Sequence, residues 1–347
     1  MRSLPTESVE DFSSALFSGF SMSPHSSESA GRLQMANDFI HHPVLAEEIV
    51  ELFTGLPAGV IIDATLGGAG HARRLLDVSS DYRLLGVDRD AVARDAASVV
   101  LAGYGDRVRI AAGTFGDLRS VVNHNADFVG DAPIVGVLLD LGVSSPQLDD
   151  PERGFSFRAD APLDMRMDAS TGLTAAQLVA SMDLDELTAL LRRHGEGRFA
   201  RIIARSILDN APQSTGELVA IVERVVPMAA RRRGHVATRV FQALRVEVND
   251  EETQLTDGLG AAIELLSPGG VVAVISYHSG EDRATKAVLF DAATGGCTCS
   301  AELGCVCGAV KILRLLKASA VMAGADEIER NARSRSARLR AGWKLPS

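Results

Sequence analysis

The sequence predicts an α/β fold in which a mostly parallel, doubly wound sheet carries an inserted α-helical domain. Short apolar runs end at acidic or polar residues, and amphipathic helical segments separate the first three of these runs. Such runs are typical of strands that are buried on both faces of a parallel sheet. Alternation of strands with helices favours a doubly wound arrangement.

Five apolar runs supply the predicted strands, namely 60–63, 84–88, 108–110, 134–140 and 271–276. Helical patterns at 72–76 and 91–101 connect the first three. About 130 residues separate Asp140 from Gly270, whereas one crossover needs only about 30. We therefore predict a helical domain inserted at 149–245, with 38–148 and 246–347 forming the sheet domain.

Capping patterns place the helices of the insertion. Helix starts are predicted at Thr174 with Gln177, Asp183 with Glu186, and Ser214 with Glu217. The second of these helices should end at Gly195. A further helix should bury one face formed by Phe199, Ile202, Ile203 and Ile207. Residues 241–266 are expected to form one long or broken helix that leads back to the sheet.

Composition narrows the class of protein. The net charge is −10, so any nucleic-acid surface must be a local patch. No apolar run is long enough to cross a bilayer, and the Ser-rich residues 1–37 lack the apolar segment of a signal peptide. We expect these residues to form a disordered tail, with Met35 as an alternative start. A cytoplasmic location without membrane contact is expected.

The segment 63–71 is a glycine-rich turn directly after the first strand, where backbone can approach a ligand closely. Asp88 ends the second strand and can accept hydrogen bonds from both ribose hydroxyls. Phe115 can cover an adenine face, and Asp140 ends the fourth strand. A dehydrogenase fingerprint fails, because Arg73 stands at the third glycine position. These residues favour a methyltransferase that uses S-adenosylmethionine.

Several further blocks make the chain similar to the RsmH (MraW) family of ribosomal RNA small-subunit methyltransferases; they are 42–45, 63–71, 140–149, 153–157, 162–168, 237–245, 275–283 and 333–340. The resemblance implies a class I (Rossmann-like) methyltransferase fold. It also implies methylation of the exocyclic N4 of a decoding-centre cytidine in 16S ribosomal RNA. The cofactor contacts that it implies are Ala69, Gly70, His71, Asp88, Phe115, Asp140 and Gln147. Ala69 replaces a usual glycine, and Tyr277 a usual phenylalanine.

The chemistry of the N4 reaction suits this chain. Carbon-5 methylation of cytosine generally needs a cysteine nucleophile, yet all four cysteines lie at 297–307; no early lysine is present for the usual ribose mechanism. Direct attack by the amine needs neither residue and no metal. Asp140 is the first candidate for the acceptor of an N4 hydrogen, and Asp164 and Asp168 are alternatives. Local pairing with Arg166 is an equally open explanation for these two aspartates.

Other residues are candidates for the RNA surface. His278 and Glu281 are expected to line the base pocket, and Phe155 and Phe157 either hold a flipped base or pack in the core. Asn249 is either a polar anchor inside a helix or a base contact. Candidates for contacts with the RNA phosphate backbone are Arg231–Arg233, Arg239 and the run 333–340. The run 333–340 could instead form a homodimer contact.

Three questions stay open at this point. Cys297, Cys299, Cys305 and Cys307 form two C-x-C pairs, a weaker zinc signal than C-x-x-C, so a zinc site and a loop of unligated thiols both remain possible. Either free 16S RNA or the assembled small subunit could be the substrate. The alternatives to the enzyme are a non-catalytic RNA-binding assembly factor and a methyltransferase for another nucleic acid or a protein.

Overall fold

A mixed sheet forms the centre of the protein in the computed structural model, which describes residues 43–228, 237–299 and 306–346. The strands of the described residues are β1 Gly59–Asp63, β2 Tyr82–Asp88, β3 Val108–Ala112, β4 Ile134–Asp140, β5 Val271–Ser276, β6 Leu313–Leu315, β7 Val321–Met322 and β8 Arg338–Lys344. Their order is β3-β2-β1-β4-β5-β8-β6, and β7 pairs with β8. The five predicted strands are therefore confirmed.

Strands β1 to β5 are mutually parallel, whereas β8 is antiparallel to β5, β6 and β7. The strand order reverses at β1, which lies between β2 and β4. Ligands of open α/β sheets bind at such a reversal, beyond the carboxyl ends of the strands. Asp63, Asp88 and Asp140 each end a strand at this edge. The predicted α/β fold with a mostly parallel, doubly wound sheet is confirmed.

Among the described residues, one helix precedes β1, and the others lie between the strands or in the long segment that joins β4 to β5. In chain order they are α1 Ala46–Phe53, α2 Gly70–Val78, α3 Ala91–Leu101, α4 Leu118–His124, α5 Ala126–Val129, α6 Ser145–Asp149, α7 Ala175–Ser181, α8 Leu184–Arg193, α9 Ala200–Asn210, α10 Thr215–Val225, α11 Ala237–Val248, α12 Glu251–Leu265, α13 Ser279–Thr294 and α14 Ala325–Arg330. Short 3-10 turns cover Ala102–Arg107, Phe115–Asp117, Pro151–Arg153 and Ala332–Ser336.

Most predicted helix boundaries are confirmed. Thr174 and Asp183 form capping boxes with Gln177 and Glu186, and Ser214 caps α10. The stretch predicted as one long or broken helix is two helices, because Asp250 adopts a left-handed conformation with φ 50° between α11 and α12. The predicted face of α9 was wrong at one position, since the Ile202 side chain is 51% exposed.

Three apolar clusters hold these elements together. Alternate residues of the strands supply two of them, one on each face of the sheet. The third cluster runs from Phe155 to Leu244 and consists of residues of the β4–β5 segment. Helix α12 instead packs on the sheet through Leu255 and Leu259. The domain boundaries at 149 and 245 stay a prediction, and the predicted tail at 1–37 lies outside the described residues.

Within the described part of the chain, no helix is both long and apolar enough to cross a membrane.

Candidate functional site

The glycine-rich turn lies between β1 and α2, and its backbone is left-handed at two positions. Gly67 has φ 49°, and Ala69 has φ 61° and ψ 23°. An L side chain is disfavoured in this region by about 1–2 kcal/mol. The Ala69 methyl group is also fully buried. Ala69, the position where the sequence departs from a usual glycine, is therefore a strained residue of the turn.

The Asp88 carboxylate fixes the turn against the end of β2. Its Oδ2 accepts a hydrogen bond from the Gly67 N–H at 2.8 Å, and its Oδ1 accepts one from the Asp90 N–H at 2.8 Å. Burial raises the pKa of Asp88, and these two N–H groups oppose the rise. Each oxygen keeps a further lone pair. The carboxylate can therefore accept hydrogen bonds from a ligand's hydroxyl groups while it holds the turn.

Gln147 and Asp90 form a buried network beside this carboxylate. The Gln147 Nε2 donates to Asp90 Oδ2 at 3.0 Å, and its Oε1 accepts from the Ser144 N–H at 3.0 Å. Arg153 Nη1 also donates to Asp90 Oδ2, at 2.9 Å, and its Nη2 donates to the carbonyl of Met167 at 2.9 Å. The predicted cofactor residue Gln147 therefore also links the second strand to the β4–β5 segment.

Phe115 follows β3 in a 3-10 turn, with its ring half-buried against the core. A Cβ placed on Gly258 of helix α12 would come within 2.3 Å of the Phe115 carbonyl oxygen. This close packing fixes the backbone of Phe115 on the side of the sheet where β1, β2 and β3 end. The role of this ring in covering an adenine stays a prediction.

Asp140 lies at the end of β4, and its two carboxylate oxygens have different neighbours. The Tyr277 hydroxyl donates to Asp140 Oδ1 at 2.7 Å, and Asp140 Oδ2 lies 3.5 Å from His71 Nε2. Burial and this carboxylate raise the pKa of Tyr277 well above its ordinary value, so its hydroxyl stays protonated and donates.

His71 is 6% exposed, and neither ring nitrogen has a hydrogen-bond partner among the described residues. Buried polar atoms without partners are costly, so such atoms usually face a ligand or an ordered water. Asp63 is fully buried and interacts electrostatically with His71. Burial raises the pKa of Asp63 to about 7, against the opposing effect of His71. The centre therefore combines an oriented carboxylate with buried groups that suit a polar ligand.

Asp164 and Asp168 both accept hydrogen bonds from residues that lie close to them in the chain. Arg166 donates to both oxygens of Asp164, from Nε at 2.8 Å and from Nη2 at 2.7 Å. Burial alone would raise the pKa of Asp164, but these bonds hold it below its ordinary value. Asp168 accepts from the N–H and hydroxyl of Ser170. For Asp164 this is the local pairing with Arg166 that the sequence left open, whereas Asp168 caps the turn at Ser170. The catalytic role of Asp164 stays a prediction.

His278 caps helix α13. Its Nδ1 accepts from the Gly280 N–H at 3.1 Å, and Glu281 Oε2 accepts from the Tyr277 N–H at 2.7 Å. Burial opposes ionisation of Glu281, but His278 and Arg245 hold its pKa below the ordinary value. Arg245 lies on α11 and also pairs with Glu251 at 2.8 Å. His278 and Glu281 therefore fix the backbone of Tyr277, and a direct base contact by His278 stays a prediction.

Comparison with known proteins identifies the family. A model of the MraW methylase family matches residues 38–345. The chain belongs to this family. Ribosomal RNA small subunit methyltransferase H of Geobacter sulfurreducens is 46% identical over 314 residues, which cover 88% of this chain and 99% of that one. The protein of the same name from Paenibacillus sp. is 46% identical over 316 residues, covering 88% and 100%.

Family membership confirms two predictions, a methyltransferase and S-adenosylmethionine as its cofactor. The chain itself fits this cofactor. Asp88 has free acceptor positions beside the turn, in which Gly68 is exposed, and neither buried ring nitrogen of His71 has a hydrogen-bond partner among the described residues. The residue assignments for the cofactor stay predictions.

The basic residues are more engaged than the sequence suggested. Arg239 pairs with Glu196, whereas Arg338 and Arg340 both pair with Asp282. Arg335 is exposed and forms no ion pair with a described residue. Arg231–Arg233 lie outside the described residues. Arg338 and Arg340, which were predicted to contact RNA, therefore form ion pairs within the protein that fix the position of β8.

Three further predictions concern the β4–β5 segment. Asn249 is a polar anchor: its Oδ1 accepts from the Met167 N–H and its Nδ2 donates to the Met165 carbonyl, both at 2.8 Å. Phe155 is buried, and the Phe157 ring packs edge-on against Phe241 at 5.0 Å. Core packing, the second of the two explanations, describes both phenylalanines in this structure.

The roles of Asp90, Arg153 and Asp63 were not predicted from the sequence. Asp90 carried a weak signal, because an aspartate directly before a helical pattern is a typical N-cap. The Arg153 contact gave none, since its partner is 63 residues away in the chain.

The sulfur atoms of Cys297, Cys299 and Cys307 come together, whereas Cys305 lies outside the described residues.

Proposed function

We propose that this protein transfers a methyl group from S-adenosylmethionine to the exocyclic N4 of a cytidine in the decoding centre of 16S ribosomal RNA. One observation carries the proposal: Asp140 presents one oriented carboxylate oxygen beside a buried histidine at the switch point of the sheet. The curated names of its relatives, which modify small-subunit ribosomal RNA, support the choice of RNA.

In this proposal the cofactor lies across the carboxyl ends of β1, β2 and β4. Asp88 accepts the ribose hydroxyls, Phe115 covers the adenine, and the turn at Ala69, Gly70 and His71 supplies backbone contacts. Gln147 contacts the cofactor from helix α6. The bound cofactor supplies an electrophilic methyl group on a sulfonium. No metal and no protein nucleophile are needed.

Asp140 has two tasks at the amine. The N4 lone pair is delocalised into the cytosine ring, so a hydrogen bond from an N4 hydrogen to Asp140 Oδ2 favours a more nucleophilic, pyramidal nitrogen. Because Tyr277 holds Oδ1, the carboxylate cannot rotate freely, and orientation supplies much of the remaining acceleration. The nitrogen must lose a proton once it carries the methyl group.

The protein supplies an acceptor for the proton that N4 loses. Asp140 Oδ2, the oxygen that Tyr277 leaves free, accepts it from N4. Tyr277 keeps its own proton, because its pKa is raised. Tyr277 is therefore a positioning residue, whereas Asp140 touches the reacting amine.

A complementation experiment tests the proposal. Small-subunit RNA is purified from cells that lack the gene and carry the parent, Asp140→Asn or Asp131→Asn, and the N4-methyl content of the decoding-centre cytidine is measured by mass spectrometry. Asp131 is exposed near the opposite end of β4, so it is a matched control. We expect the mark with the parent and the control only.

Asp140→Asn keeps the shape of the side chain but loses its charge, and the loss of such an acceptor lowers rates by about 100-fold or more. Persistence of the mark in cells without the gene would refute the substrate. Normal subunit function with Asp140→Asn, despite absent methylation, would favour a non-catalytic assembly factor. The cytoplasmic location and the homodimer belong to this proposal and stay predictions.

A further inference from the structure

The loop after helix α13 brings two chain segments close together, about 24 Å along the helix from the His278 cap. The Ile312 N–H donates to the Ala292 carbonyl at 2.8 Å. Gly295 has φ 64°, and a Cβ there would lie 2.4 Å from the Val310 carbonyl oxygen. The outgoing and returning segments of the loop are therefore fixed against one another at its base.

Three thiols converge beyond this base. Cys297 and Cys299 belong to the outgoing segment and Cys307 to the returning one, and their sulfur atoms all lie within 4.8 Å of one another. Sulfurs around a tetrahedral zinc ion are about 3.8 Å apart, because each zinc–sulfur bond is about 2.3 Å. Small side-chain rotations would therefore bring all three into a coordination sphere.

We propose that Cys297, Cys299 and Cys307 supply three of the four ligands of a structural zinc ion that cross-links the two segments of this loop. Thiolate ligands select zinc over harder divalent cations such as magnesium and calcium. The position far from Asp140 indicates a role in stability rather than in methyl transfer. The ion would fix the chain between α13 and β6, the strand that closes the edge of the sheet.

The test measures zinc in full-length protein that is purified without metal-affinity chromatography from zinc-supplemented cells. Mass spectrometry of the metal should give about one zinc per chain. Cys299→Ser and Cys307→Ser should weaken zinc binding in chelator competition by more than about 100-fold. Thr298→Ser, which lies between two of the ligands, should retain the ion. Removal of zinc should lower the melting temperature of the parent but not that of Cys299→Ser.

The site would be overturned by parent protein with reduced thiols that binds no zinc, or by serine variants that retain the ion. Disulfide-bonded thiols without metal in freshly isolated protein would also overturn it. Cofactor binding by the serine variants shows that they are folded. Because methyl transfer should persist in them, failure of this proposal is distinguishable from failure of the proposed function.

Discussion

Replacement of Asp63 by asparagine should make the protein less sensitive to alkaline pH. Burial raises the pKa of this carboxyl from 3.8 to about 7 in the folded protein. Its oxygen also accepts a hydrogen bond from the Thr65 N–H at 3.3 Å, which an asparagine oxygen can accept equally. The substitution therefore removes the ionisable group with little change of shape.

The sign follows from proton linkage. Between pH 4 and pH 7 the folded chain retains a proton on Asp63 that the unfolded chain releases, so stability falls as pH rises through this window. A rise of about three pKa units corresponds to about 4 kcal/mol over the whole window. Between pH 5 and pH 8 the free energy of unfolding should therefore fall by about 2–3 kcal/mol because of Asp63. The asparagine variant lacks this loss.

Urea unfolding of ligand-free protein at pH 5, 6, 7 and 8 measures the effect. The free energy of unfolding of Asp63→Asn should rise relative to the parent by about 2–3 kcal/mol between the two extremes. Asp106→Asn, at an exposed position, should run parallel to the parent. Parallel curves for Asp63→Asn and the parent would refute the assigned pKa and the charge arrangement around His71.

Three other substitutions test the site. Asp88→Ala should weaken S-adenosylmethionine binding by at least about 100-fold in calorimetry, because two hydrogen bonds to a charged group are lost; unchanged affinity would contradict the assignment. Tyr277→Phe should lower kcat by about tenfold without changing cofactor affinity, since Asp140 loses only its orienting donor; an unchanged kcat would show that this bond is dispensable. Ala69→Gly should shift the free energy of unfolding by less than about 1 kcal/mol, because relief of about 1–2 kcal/mol of strain is offset by chain entropy and a lost buried methyl. Ala69→Val should destabilise by more than about 2 kcal/mol, as a branched side chain must adopt φ 61°; equal melting temperatures for these two variants would refute the backbone assignment.

The parallel strands could be predicted because each is a short apolar run, and β1, β2 and β4 end at an aspartate. Strands β6, β7 and β8 could not, because they are short or carry alternating arginines. Arg338 and Arg340 resemble an RNA-binding run in the sequence, yet Asp282 pairs with both across 56 and 58 residues. Long-range pairing of this kind has no local pattern.

The candidate site was predictable to a similar extent. Asp88 and Asp140 were predicted as site residues because each ends a buried strand, and the structure places both strand ends at the switch point of the sheet. The hydrogen bond from Tyr277 joins residues 137 positions apart, and the raised pKa of Asp63 depends on burial by the complete fold. Neither property is encoded in a short segment. The left-handed backbone at Ala69 also required the structure, since alanine does not signal it.

The position of the transferred methyl group tests the account most directly. Small subunits from cells lacking the gene are incubated with the purified protein and S-adenosylmethionine labelled with deuterium in the methyl group, and the RNA is digested to nucleosides. Mass spectrometry should find the label in N4-methylcytidine from the decoding centre. Label in 5-methylcytidine or in a ribose-methylated nucleoside, or no label with active cofactor binding, would contradict the proposed reaction.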